Sequence, residues 1–358
     1  MRVVVAPDSF KGSIGAAEAA RALAVGWRTA RPDDELIEVP LADGGEGTLA
    51  VLAATDPGSR WHQVVVSGPG DALVRAGWLE LTGRVGVVEL AAAAGLPLLG
   101  QLTPLDAHSY GVGELIRHAL DSGVLTVMIT LGGSACTDGG SGLLAALGAR
   151  FLDERGHPLR LGGGALSRLA AIDLASLRKP PPAGARCLTD VRAPLLGPGG
   201  AAAVYGPQKG ASQDDITILE AGLARLAQLL GGTPSQPGAG AAGGCGYGLA
   251  AAWGAHLLPG AEWVANAAGL PKALSGADLV ITGEGRYDET SLRGKVVGTV
   301  QSIATRVGVP VAVVAGSVAG ALPASRMVAL TELADSPEAA MTDPARWLAE
   351  AGRRLAAI

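Results

Sequence analysis

Three short loops carry the residue types that handle phosphate and a hard metal ion. The first, Ala6-Pro7-Asp8-Ser9-Phe10-Lys11-Gly12, follows an apolar run at residues 3–6. In an open α/β sheet, ligands bind beyond the carboxyl ends of strands, so Asp8, Ser9 and Lys11 stand where a phosphate or metal would sit. The lysine neutralises phosphate oxygens as a point charge, the hydroxyl donates, and free N–H groups of a following helix add a positive end. The same residues also suit a plain turn with an aspartate cap and a solvated lysine.

The second loop, Leu131-Gly132-Gly133-Ser134-Ala135-Cys136-Thr137-Asp138-Gly139-Gly140, follows the most apolar central strand candidate, residues 125–131. Without Cβ atoms, successive amides can converge on an anion, which phosphate recognition requires. A tight glycine turn is the competing reading. The third, Gly283-Glu284-Gly285-Arg286-Tyr287-Asp288 with Arg293 and Lys295 beyond it, is expected to end a strand at 278–282. Glu284 and Asp288 could hold hydrated Mg²⁺, which prefers oxygen ligands, and Arg286, Arg293 and Lys295 could meet phosphate or a carboxylate. An Arg-Asp loop brace competes there. Asp190, expected at the end of a strand over 186–191, could accept a hydroxyl proton or hold the metal, and Gln208 and Lys209 lie in a Gly-Pro turn that suits a polar ligand or an ordinary surface loop.

Other chemistries lack their patterns. No Gly-x-x-x-x-Gly-Lys-Ser/Thr occurs, and Gly246-x-Gly248-x-x-Ala251 has no strand ahead of it in a βαβ unit. The five histidines are scattered without His-Glu-x-x-His, and Gly-x-Ser-x-Gly is absent. Anion-cradling glycines, lysines and strand-end carboxylates together fit Mg-assisted phosphoryl transfer best. The residues alone leave the acceptor open.

The elements that must position these loops alternate strand and helix over the first sixty residues, with strands at 3–6 and 36–39 and a helix capped by Ser13. Segments 61–67, 74–81 and 85–90 are too close together for helical crossovers and predict an antiparallel element. Helices are expected at 109–121, 139–149 and 213–230. The last ninety residues return to the opening rhythm, with strands at 309–315 and 327–330 and helices at 296–306 and 343–357. The two ends therefore read as one doubly wound domain, residues 1–60 and 271–358, and residues 61–270 as an inserted α/β domain with antiparallel strands.

With 358 residues the chain is long enough for two cores. Only 17% of its residues are charged and 48% are apolar, which argues against disorder, and a formal charge of −5 without a basic block argues against a nucleic-acid partner. Three cysteines, Cys136, Cys187 and Cys245, with no close pair, fit a reducing cytoplasm, and residues 1–10 lack the apolar stretch of a signal peptide. Residues 226–261 carry no Asp, Glu, Lys or Arg, a length that could cross a bilayer. The density of glycine and proline there predicts a buried Gly-rich loop opening a helix instead.

Taken in order, several blocks resemble the type I glycerate kinases of bacterial glycerate and glycolate catabolism. They are the Asp8–Lys11 loop, residues 40–48 with Asp43 and Glu46, Ser109-Tyr110-Gly111-Val112-Gly113-Glu114-Leu115, and residues 131–140. Asp190 to residue 197, residues 205–211, 238–246, 277–288 and Gly294-Lys295 complete the set. The resemblance implies ATP- and Mg²⁺-dependent phosphorylation of D-glycerate, most directly to 2-phosphoglycerate, in a cleft between a Rossmann-like domain and an inserted α/β domain of a monomer or homodimer. A 3-phosphate product, a related hydroxy-acid acceptor and a non-catalytic sensor of a phosphorylated metabolite are the rival readings.

Within that resemblance, ATP phosphates would meet Gly132, Gly133 and Ser134, with Asp138 and Gly283 in the same set. Lys11 and Lys295 would offset their charge, and Glu284 or Asp288 would hold Mg²⁺. Asp190 would be the base, with Asp8 also catalytic, and Arg286 or Arg293 would pair with the glycerate carboxylate. Ser9, Asp43, Glu46, Gln208 and Lys209 complete the acceptor side. Four places depart from the family pattern: Cys136 stands where threonine is usual, Thr189 precedes the acid, Asp288-Glu289-Thr290 replaces Asp-x-Gln-Thr, and residues 101–108 lack the Arg-Asn-Pro start.

Overall fold

A computed structural model describes residues 1–70, 72–292, 294–319 and 326–357. The chain forms two compact units: Met1–Asp43, Ala50–Thr55 and Pro259–Ile358 make the first, and Gly44–Leu49 with Asp56–Leu258 the second. Both are α/β. Among the described residues no helix is long and apolar enough to cross a membrane.

Strands, numbered in chain order, begin with β1 (Arg2–Val5) and β2 (Glu35–Glu38) in the first unit. The second unit holds β3 (Arg60–Ser67), β4 (Leu73–Leu81), β5 (Val85–Glu89), β6 (Thr126–Thr130), β7 (Arg150–Leu152), β8 (Ala171–Asp173), β9 (Ala185–Leu188) and β10 (His256–Leu258). The chain then returns to the first unit for β11 (Leu279–Tyr287), β12 (Val311–Val318) and β13 (Met327–Ala329).

The first unit's sheet has the order β13-β12-β11-β1-β2 and is parallel throughout. Its inner strands β1, β11 and β12 are largely buried, as a parallel sheet covered on both sides demands, while the edge strand β2 exposes Glu35 and Glu38. Val3, Val5, Leu279 and Ile281 pack with the helices Ala16–Ala30 and Pro344–Ala356, while Val4 and Val280 pack on the other side with Gly260–Ala267 and Val296–Val307. The first pair of helices lies very close. A Cβ on Gly26 would collide with the Ala349 carbonyl, and one on Gly352 with the Leu23 carbonyl.

The second unit's main sheet has the order β10-β9-β6-β5-β4-β3 and is mixed. β3-β4-β5 form the expected antiparallel ladder, and β5, β6, β9 and β10 run parallel. β6 is wholly buried, so its C-terminal end delivers residues 131–140 from a rigid support. The charge-free stretch is indeed a glycine-rich lead into a helix, Ala241–Trp253, whose residues 242–244 adopt left-handed backbone. Close packing explains its glycines: a Cβ on Gly243 would strike the Cys136 carbonyl, and one on Gly248 the Gly139 carbonyl.

Three local expectations need correction. The third loop does not end a strand, because β11 runs on through residues 283–287, pairing Glu284 with Ala315. Glycines 283 and 285 read as a turn, but they serve close strand approach: a Cβ on Gly283 would meet the Val314 carbonyl, and one on Gly316 the Gly285 carbonyl. Ser13 does not cap the first helix; its hydroxyl donates to the Phe10 carbonyl, and Gly15 occupies the cap position. β9 stops at Leu188, which leaves Asp190 two residues beyond it.

Candidate functional site

In the first unit, the ends of β1 and the middle of β11 meet side by side. The Asp8 amide donates to the Gly283 carbonyl at 2.8 Å, and the Leu41 amide donates to the Pro7 carbonyl at 2.9 Å, which brings the segment leading to Asp43 alongside. Around this junction lies a cavity of about 310 Å³ lined by Asp8, Ser9, Lys11, Asp43, Glu284, Arg286 and Lys295, among others. Seven of the residues singled out in the sequence are thus gathered from four separate segments.

Its electrostatics are those of crowded acids. Burial, with Asp43 close by, pushes the Asp8 carboxyl up to about 7, although the Ser9 amide and Lys11 favour its charge. The Ser9 amide donates to Asp8 Oδ1 at 2.6 Å. Glu284 is 7% exposed, and burial raises its carboxyl too, opposed by Ser291 and Lys295. Lys295 Nζ lies 4.0 Å from Glu284 Oε2, while Glu284 Oε1 is buried without a hydrogen-bond partner. Two raised carboxyls with a third acid, Asp43, beside both, and one orphaned oxygen on Glu284, form a donor set that a hard dication would relieve.

Asp288 does not line the cavity, although its charge also helps to raise Glu284. Its Oδ1 accepts from the Thr290 amide at 2.8 Å and from the Thr290 hydroxyl at 2.6 Å, bonds that hold its carboxyl below the usual range. Arg286 Nε is 3.7 Å from its other oxygen, the geometry of a loop brace. Arg293 lies outside the described residues. Gly283 sits within β11, with its carbonyl holding Asp8 in place.

In the second unit, the loop after β6 packs on the loop 44–47: a Cβ on Gly132 would lie 2.6 Å from Gly45 Cα. Gly133 is exposed in left-handed conformation and Ser134 is 8% exposed. Glu46 is exposed on the neighbouring loop. Sequence reasoning missed Glu89, at the end of β5, which accepts from the Gly47 amide at 3.1 Å and from the Leu49 amide, pinning the start of the helix Thr48–Thr55. Burial pushes its carboxyl up to about 7. Its sequence signal is slight, one acid closing an apolar strand, and it carries no glycine motif.

Asp138 is wholly buried and turned inward. Its Oδ2 accepts from the Ser109 amide, the Ser109 hydroxyl and the Gly142 amide at 2.9, 2.8 and 3.2 Å, and its Oδ1 from the Gly140 amide at 3.0 Å. It therefore braces the loop against the helix Tyr110–Asp121. Cys136 and Cys245, far apart in sequence, have ligand atoms within 4.8 Å of each other and of this carboxylate. Two soft thiols do not suit Mg²⁺. Gln208 is exposed, Lys209 is buried beneath the loop, and Asp190 is half-buried just past β9.

Comparison with known proteins agrees across the length of the chain. A model of the glycerate kinase family matches residues 3–358. Glycerate 2-kinase of Escherichia coli K12 is 41% identical over 326 residues, covering 88% of this chain and 85% of that protein. Glycerate kinase of Bacillus subtilis 168 is 42% identical over 327 residues, covering 89% and 85%. The crystal structure of a Salmonella typhimurium LT2 protein, solved as a candidate glycerate kinase 2, superposes with a TM-score of 0.85 at 40% identity, covering 100% of this chain and 97% of that one.

Proposed function

The chain belongs to the glycerate kinase family, and from that premise we propose that it transfers the γ-phosphoryl group of ATP to the C2 hydroxyl of D-glycerate, giving 2-phosphoglycerate and ADP. The observation that carries the reading is the gathering of Asp8, Lys11, Asp43, Glu284 and Lys295 around one cavity in a chain matched from end to end by that family. The finer architecture we propose is a Rossmann-like doubly wound domain with a second, inserted α/β domain. A reducing cytoplasm, suggested by three free and buried cysteines, belongs to the same proposal.

Lys11 and Lys295 offset charge on the phosphates, and the amides of Gly132, Gly133 and Ser134 receive phosphate oxygens in a glycine-rich turn. Glu284, with Asp8 and Asp43 beside it, would hold Mg²⁺ directly or through water, and Asp288 would steady Arg286. When bound, Mg²⁺ neutralises charge on the triphosphate. Asp190 takes the proton of the C2 hydroxyl, and Arg286 pairs with the glycerate carboxylate. Ser9, Glu46 and Gln208 complete the polar lining.

The test is direct. Purified protein is incubated with Mg-ATP and D-glycerate, L-glycerate, glycolate or tartronate, and the product is read by phosphorus NMR. ADP release specific to D-glycerate with a C2 phosphate resonance is expected. A C3 resonance would move the site of transfer. Tight nucleotide binding with no ADP release under any acceptor would make the protein a sensor.

A further inference from the structure

Lys209 lies in a turn whose neighbours Pro207 and Gln208 face outward, yet it is itself 2% exposed. Its ammonium donates to Ser134 Oγ at 2.9 Å, to the Cys136 carbonyl at 2.5 Å and to Thr137 Oγ1 at 3.5 Å. An ammonium has three hydrogens and no lone pair. These three partners therefore use its whole donor capacity, and Ser134 can only be the acceptor in their pair. The hydroxyl hydrogen of Ser134 is left for another oxygen.

We propose that Lys209 is a positioning residue for phosphoryl transfer, clamping residues 134–137 from beneath and reserving the Ser134 O–H for a phosphate oxygen of ATP. The inference rests on the reading that residues 132–134 meet the triphosphate. It also moves Lys209 away from the acceptor side, where the sequence had placed it, because no donor remains for a carboxylate.

The cost of burying this cation supports a role beyond stability. Burial drives the Lys209 amine down, and the negative charge of Asp138 opposes it. A buried charge held this way is weak evidence for stability, since an apolar side chain of similar length is often as good or better. What methionine could not supply is a fixed hydrogen-bond donor behind Ser134, with a positive charge close to the loop where phosphate charge would arrive.

The test is a double-mutant cycle with Lys209→Met and Ser134→Ala, read as kcat/KM for ATP, with the KM for glycerate and thermal melting measured alongside. Each single variant is expected to lose roughly 10²-fold, the scale of one oxyanion-type donor, with the KM for glycerate little changed. The double variant should lose little more than either single one, since Lys209 acts through Ser134. Losses that multiply, or a Lys209→Met enzyme with normal kcat/KM, would overturn the proposal. If Lys209→Met does not fold, Lys209→Gln, which keeps an N–H donor, enters the same cycle and should lose less than Ser134→Ala. Calorimetric affinity for tripolyphosphate, measured on the same proteins, needs no turnover. A wild-type protein that neither binds tripolyphosphate nor releases ADP defeats both readings, whereas normal glycerate turnover with independent losses defeats only the role given to Lys209.

Discussion

Glu284 illustrates how a side chain acquires chemistry from its setting. The residue is an unremarkable acid by type, but β11 holds it rigid, burial raises its carboxyl, Lys295 approaches one oxygen and the other has no partner. Glu284→Gln is expected to raise the Mg²⁺ concentration for half-maximal activity by more than the ~10-fold that even an outer-shell partner commonly costs. A metal titration of ADP release checks this, and an unchanged midpoint would remove Glu284 from the metal site. Asp190, proposed as the base, would act on the chemical step. Asp190→Asn should lower kcat by ~10²–10⁴-fold while leaving the KM for ATP within a few-fold; near-normal turnover would exclude it as the base.

At the scale of elements, β11 departs most from its sequence pattern. The Gly-x-Gly spacing at 283–285 signals a turn, yet the strand continues because β12 comes too near for side chains there. Gly283→Ala should therefore destabilise the first unit by about 1–3 kcal/mol, the usual cost of forcing extra volume into packed structure. Urea unfolding would register this as a lower midpoint with an unchanged slope. Glu89 marks a second element-level device, a half-buried acid accepting two amides at the start of the helix Thr48–Thr55. Its carboxyl rises from an ordinary 4.5 to about 7 on folding. Between those values the folded chain binds more protons than the unfolded one, so the contribution is full below about 4.5 and is lost as pH rises through 7. The loss is on the order of 3 kcal/mol at most. Calorimetric melting from pH 5 to 8 should show Glu89→Gln with a flatter profile than the wild type.

For the whole molecule, the pattern of residues was sufficient for the broad class and, through the resemblance it carries, for the family. Alternating apolar runs and glycine turns specify α/β structure because buried strands and covering helices must follow one another within a few residues. Loop motifs point to phosphate chemistry because glycine, lysine and carboxylate have few substitutes in that work. The antiparallel ladder β3-β4-β5 was legible for a similar reason, since its short connections forbid crossover helices. What the sequence could not contain is direction: whether a given acid or lysine faces a ligand or the interior. Asp138 and Lys209 have the residue types of a phosphate site, and both point inward, their polar atoms taken by backbone and hydroxyl groups that come from up to 75 residues away. Conversely, Asp8, Asp43 and Glu284 become one cluster only because β1 pairs in parallel with β11, some 276 residues later in the chain. Local composition determines what a segment can do. Long-range pairing alone decides which groups share a volume, and hence their proton affinities, because burial and mutual repulsion depend on distance in space and not along the chain.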